Sequence, residues 1–177
     1  PCKLTFAEKI NTETYMMFGD SVPSVLPPLD PEISALFNVT QSTATSADHS
    51  DEMSNGTGFA FGAALSVECH LNKFVYADVA FKGGTDLLVV RKPGFICENS
   101  KYRASGRVFV YLDVSAGIKA RRKKFEVVEF EAAANLEGEL PKPFFVHGEV
   151  GFRYRLLGGL LKGNATAKFE AGTKCTW

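Results

Sequence analysis

The chain alternates apolar and polar residues over long stretches beyond residue 57. In the first stretch, every second residue is apolar and the residues between are small or polar; the apolar set is Phe59, Phe61, Ala63, Leu65, Val67 and Cys69. Because successive side chains of a strand point to opposite faces, this period of two predicts a half-buried β-strand. Further strands are predicted at 73–82, 86–91, 102–115, 125–136, 144–157 and 160–171, with turns at Gly83-Gly84 and Gly158-Gly159.

These strands predict an all-β fold, an antiparallel meander of about seven to nine strands. Closure as a barrel or folding as a sandwich would protect the strand edges. One short helix is predicted at 31–37, where Asp30 supplies a capping carboxylate and Pro31 begins the first turn. We divide the chain into an N-terminal arm and polar loop, residues 1–57, and a β domain, residues 58–177, within one structural unit.

The strand predicted at 144–157 separates its side chains by polarity. His147, Glu149, Arg153 and Arg155 share one face, and apolar residues share the other. We expect the polar face to contact solvent, as in most antiparallel sheets, although in a closed barrel it would line a polar interior.

The four cysteines indicate an oxidising environment. Their even number and wide spacing favour two disulfides over a zinc site. Three pairings are possible, and we favour Cys2–Cys175 with Cys69–Cys97.

Three Asn-X-Thr sequons also predict an extracellular protein, either secreted or held at the cell surface. The acceptor residues would be Asn38, Asn55 and Asn164.

Charge and motifs narrow the possible partners. Lys plus Arg and Asp plus Glu both number 20, so the net charge of zero argues against nucleic acid. No apolar run approaches the roughly 18 residues of a membrane helix, so no membrane span is predicted. We find no catalytic, metal-binding or cofactor-binding motif, and we predict a protein that is not an enzyme.

One basic run is the strongest local charge feature. Lys119, Arg121, Arg122, Lys123 and Lys124 lie between two predicted strands. They could bind a glycan, another polyanion or anionic lipid head groups. The alternative is a charged hairpin that keeps the strand ends soluble.

Three functions follow as hypotheses. The first is a structural or adhesion module that assembles by strand addition, with Leu4 and Phe6 of the arm as the added strand. The second is an extracellular carrier of an apolar small molecule in a lipocalin-like β-barrel, although the lipocalin Gly-x-Trp signature is missing because the only Trp is Trp177. The third is polyanion binding through the basic run.

Overall fold

The computed structural model describes residues 7–22, 26–37, 56–72, 74–91, 102–120, 123–140 and 144–173. These residues form one antiparallel sheet whose strands lie side by side in sequence order. The strands are β1 (Ala7–Val22), β2 (Gly56–Asn72), β3 (Val75–Arg91), β4 (Tyr102–Ala120), β5 (Lys123–Leu140), β6 (Phe145–Leu156) and β7 (Leu161–Gly172).

The predicted all-β antiparallel meander is confirmed. Within the described residues β1 and β7 are the two edge strands and do not pair with each other, so the sheet is not closed. Closure as a barrel or folding as a sandwich is therefore not confirmed.

The N-terminal region contributes an edge strand to the sheet. β1 pairs with β2 from Ala7 opposite His70 to Gly19 opposite Gly58, and the register breaks between Gly19 and Val22. Part of the predicted arm thus belongs to the sheet, whereas the proposed added strand at Leu4 and Phe6 lies outside the described residues.

The turn predicted at Gly83-Gly84 is wrong, because both glycines lie in the middle of β3. A Cβ at Gly84 would lie 2.6 Å from a ring carbon of Phe109 and 2.9 Å from the carbonyl oxygen of Ala63. Glycine at position 84 therefore makes room for an aromatic ring from the next strand. The turn at Gly158-Gly159 is confirmed, since both residues have positive φ between β6 and β7.

The predicted helix is confirmed as α1 (Pro31–Leu36), one residue shorter than expected. The Glu32 N–H donates to Asp30 Oδ1 at 2.9 Å, which caps the first turn. Ile33, Leu36 and Phe37 are buried against Tyr111 and Ala133 of the sheet. Among the described residues, no helix is long and apolar enough to cross a membrane.

Residues 26–37, here called the covering segment, lie across one face of the sheet. The side chains on this face are mostly charged or polar, and we call it the polar face. The opposite face carries the apolar alternation of every strand, and we call it the apolar face. The packed interior of the molecule therefore lies on the polar face.

Burial follows this arrangement rather than the predicted one. On β2, Ala60 of the polar face is 2% exposed, whereas Leu65 of the apolar face is 40% exposed. On β6, Glu149 is buried, so solvent contact was wrongly predicted for it, whereas His147 and Arg153 are half-buried. Arg155, near the end of β6, is exposed as predicted.

Candidate functional site

The apolar face is continuous across all seven strands. Its central row runs through Thr12, Leu65, Gly83, Val110, Ala134, Val150 and Ala167. Among the side chains that the structure describes on this face, the only charged one is Arg91, at the last residue of β3. Apart from Arg91, the described side chains of this face are therefore uncharged.

This face is exposed at its centre as well as at its margins. The exposed fractions include 41% for Leu87, 54% for Val108, 44% for Val110, 47% for Leu136 and 51% for Val150. A half-exposed side chain of this size forgoes roughly 1 kcal/mol of transfer free energy. Contiguous apolar patches of this extent on soluble monomers mark interaction surfaces.

The height of the apolar face can be worked out from the strands. On β2 the apolar alternation extends from Phe59 to Leu71, about 12 residues. At about 3.3 Å per residue this is roughly 40 Å along the strand. Strands tilted by about 45° would reduce it to roughly 28 Å, close to the ~30 Å hydrocarbon thickness of a bilayer.

Exposed aromatic side chains occur at both ends of the sheet. Phe18, Tyr102 and Phe144 lie at one end, and Phe74 and Phe125 at the other. Phe81, Phe152 and Phe169 are also exposed and lie in the middle rows of the apolar face, so exposed aromatic residues are not confined to its two ends.

The basic run lies at the Phe125 end of the sheet. Lys119 of β4 pairs with Lys124 of β5 in register, so these two strands extend into the run that was predicted to lie between them. Lys124 Nζ lies 5.0 Å from the ring centroid of Tyr76, within cation–π range. Arg121 and Arg122 lie outside the described residues, and the structure describes no side chain for Lys123.

The polar face is held by a buried cluster around Arg107. Its guanidinium donates to Asp86 Oδ2 from Nε at 3.0 Å and from a terminal nitrogen at 2.5 Å, and both side chains are less than 10% exposed. The Tyr15 hydroxyl donates to Asp86 Oδ1 at 2.9 Å. Burial, followed by this hydrogen bond, raises the pKa of Tyr15 to about 12. The phenol therefore stays protonated and satisfies the second carboxylate oxygen.

Further ion pairs cross the polar face between neighbouring strands. Among them are Arg103–Glu139, Arg153–Glu131, Arg155–Glu129 and Lys168–Glu149. Lys82 binds Asp30 and Glu32 of the covering segment at 3.1 and 2.5 Å. Burial lowers the pKa of Lys82, but these hydrogen bonds outweigh burial and the pKa is raised overall. Charge thus ties the covering segment to the sheet.

Several cavities around the described residues open on the polar face. One of about 730 Å³ is lined by Leu36, Arg153, Arg155 and Lys162, among others. Another of about 420 Å³ includes Arg103, Arg107, Glu139 and His147. Their charged linings do not suit an apolar ligand. Within the described part of the chain, no group of three or more His, Cys, Asp or Glu could hold a metal ion.

The other predicted sites are only partly described. Cys69 lies on the apolar face of β2, and no other cysteine lies within the described residues. Its proposed partner Cys97, and both Cys2 and Cys175, lie outside the described residues, so the disulfides remain predictions. Asn164 lies in β7 opposite Arg153 and is exposed, and whether it carries a glycan remains a prediction. Asn38 and Asn55 lie outside the described residues.

Sequence reasoning missed the exposed apolar face, although a signal for it was present. The apolar positions of nearly every strand lack charge, whereas the alternate positions carry many charges of both signs. Charges of both signs on facing strands can pair with each other, which is how the polar face becomes an interior.

No protein-family model, curated protein or solved structure matches this chain.

Proposed function

We propose that this protein functions in a lipid bilayer, with its apolar face in contact with acyl chains. The observation that carries the proposal is the exposed apolar face across seven strands, on which Arg91 is the only charged side chain described, combined with an interior of paired charges. In water the opposite arrangement is normal, because an antiparallel sheet buries its apolar face and exposes its polar one. Strands that face lipid alternate apolar outward and polar inward, which is the arrangement here.

Two features favour a bilayer over a single apolar ligand. The described cavities have charged linings, and the covering segment already occupies the polar face. The apolar face is far larger than one fatty acid or sterol could cover. Its estimated height of roughly 28 Å corresponds to a whole hydrocarbon layer.

The basic run gives the sheet a charged end. Lys119 and Lys124 lie beyond the apolar rows, at the level where lipid head groups would be found. Basic residues near an anionic lipid surface contribute about 1 kcal/mol each. In this proposal the run binds lipid phosphates, which deepens the polyanion hypothesis drawn from the sequence.

Quenching by brominated lipids tests the proposal. Single cysteines carrying a polarity-sensitive fluorophore would be placed at Val110 and Val150, which face outward, and at Lys162 and Lys168, which lie on the polar face. The side chains at all four positions are exposed. In phosphatidylcholine vesicles brominated along the acyl chains, we expect strong quenching at the two valines and little at the two lysines.

The controls separate the alternatives. Circular dichroism of each labelled variant would establish that the sheet forms. If a second copy covered the apolar face, the probes at Val110 and Val150 would emit at short wavelength but would not be quenched. Equal quenching at all four positions, or no quenching at any, would refute the proposal.

A further inference from the structure

Besides the apolar face, the outer edge of β7 is a surface without a described partner. β7 is a regular strand of 12 residues paired with β6 along its whole length. Nearly all of its residues are exposed, and no described residue pairs with its other edge. A long regular edge of this kind is a template for pairing with another strand.

We propose that two copies of this chain associate by antiparallel pairing of β7 with β7, around a two-fold axis at Thr166. In this register the polar faces of the two copies are continuous, and so are the apolar faces, because odd residues pair with odd and even with even. The two copies then form one sheet of 14 strands within the described residues, twice the seven of one copy.

Charge selects this register. On the polar face of β7 the charged residues are Lys162, Lys168 and Glu170. With Thr166 on the axis, Lys162 of each copy lies opposite Glu170 of the other, and Lys168 lies opposite Asn164. A shift that places Ala165 on the axis would set Lys162 against Lys168 twice. Opposite charges across a strand pair stabilise it, and like charges destabilise it.

Length and side-chain size agree with the same register. It pairs residues 161–171 of each copy, almost the whole strand. On the apolar face, Leu161 lies opposite Ala171 and Phe169 lies opposite Gly163, so that each large side chain has a small neighbour. Two-fold antiparallel pairing is also the ordinary symmetry of a homodimer.

Closure within one copy is the competing use of the edge. An odd number of alternating strands leaves β1 and β7 running in the same direction, so this closure would need a parallel pair. Parallel pairing is slightly less stable per residue than antiparallel pairing. β1 also has a register break between Gly19 and Val22, whereas β7 has none.

Disulfide trapping tests the pairing. In a variant whose native cysteines are Ser, Thr166→Cys should form a covalent dimer under mild oxidation. Asn164→Cys is the matched control, because its two copies would lie about four residues apart along the strands, roughly 13 Å. We expect dimer formation at least tenfold faster at position 166. Equal rates would refute the register, and cross-linking between Thr166→Cys and Asn11→Cys, which lie in the same row of the polar face, would indicate β1–β7 pairing instead.

Charge reversal gives a second test with the native cysteines retained. Lys162→Glu and Glu170→Lys should each lower the dimer fraction in sedimentation at least threefold, and the double variant should restore it. Circular dichroism would check folding, since Glu170 also contacts His147 at 3.0 Å. A double variant no better than either single variant would overturn the proposal. The dimer is predicted in detergent as well as in vesicles, so its failure is distinguishable from failure of lipid contact.

Discussion

A lysine scan along the apolar face of β4 gives the sharpest prediction from lipid contact. Val110 stands about eight residues from Tyr102 and from Ile118, the first and last outward positions of the strand. Eight residues extend about 26 Å along a strand, or roughly 20 Å in depth at a tilt of about 40°. Val110 would therefore lie near the bilayer midplane, with the other two positions in the interfaces.

The size of each loss in stability follows from the depth of the substituted residue in the bilayer. A lysine on a lipid-facing strand costs about 2–4 kcal/mol at the midplane and about 0–1 kcal/mol near the interfaces. We expect Val110→Lys to lower the free energy of unfolding by about 2–4 kcal/mol, and Ile118→Lys by less than about 1 kcal/mol. For a sheet face that contacts water, both changes would stay within about 0.5 kcal/mol, because both side chains are 40–44% exposed.

Urea unfolding in phosphatidylcholine vesicles, followed by far-UV circular dichroism, measures these differences. The stability losses of Val108→Lys and Leu112→Lys should lie between those of Val110→Lys and Ile118→Lys, or match that of Val110→Lys. The control is Asn11→Ala on the polar face of β1, an exposed position for which we expect a change under about 0.5 kcal/mol. If Val110→Lys and Ile118→Lys cost the same, the inferred depth profile is refuted.

The remaining predictions concern the polar face and the sheet itself. Arg107→Met should lower the free energy of unfolding in denaturant by about 3–5 kcal/mol, because it leaves the buried Asp86 carboxylate without its partner. Combining Arg107→Met with Asp86→Leu should recover most of that loss. A double variant as unstable as Arg107→Met alone would contradict this. Burial and nearby carboxylates raise the pKa of Asp113, so the folded state binds its proton more tightly and stability falls as the pH rises above the ordinary value of 3.8. Asp113→Asn should accordingly raise the free energy of unfolding at pH 7 and leave it nearly unchanged at pH 3. Gly84→Ala should cost about 1–3 kcal/mol because the new Cβ meets an aromatic ring at 2.6 Å, whereas Gly106→Ala, with its nearest atom at 3.8 Å, should change the melting temperature little.

The buried charges on the polar face have a consequence for specificity. Arg107, Asp86 and Tyr15 come from three strands, and a one-residue slip of any of them would leave a buried charge without its partner. We infer that this cluster helps to fix the register of β1, β3 and β4. A flat apolar interior would tolerate such slips more easily.

The sequence by itself determined most strands beyond residue 57 and their faces, although it did not predict β1 and divided β3 in two. The period of two at 59–69 assigned residues to faces correctly, and Asp30 with Pro31 located α1 to within one residue. Both signals are local, because alternation follows from strand geometry and capping from the first turn of a helix. The turn predicted at Gly83-Gly84 was wrong for the same reason, because local propensity carries no information about the Phe109 ring on the neighbouring strand.

Only the tertiary structure decided which face is the interior. The sequence gives each strand one apolar and one polar face, and the usual rule buries the apolar one. Here the covering segment crosses the polar face, and cross-strand pairs such as Arg107–Asp86 make that burial tolerable. Those pairs join residues that are far apart in the chain, so their charges cancel only once the strands are in register. The exposed apolar face, on which the proposed function rests, therefore follows from long-range pairing, which the alternation within each strand does not decide.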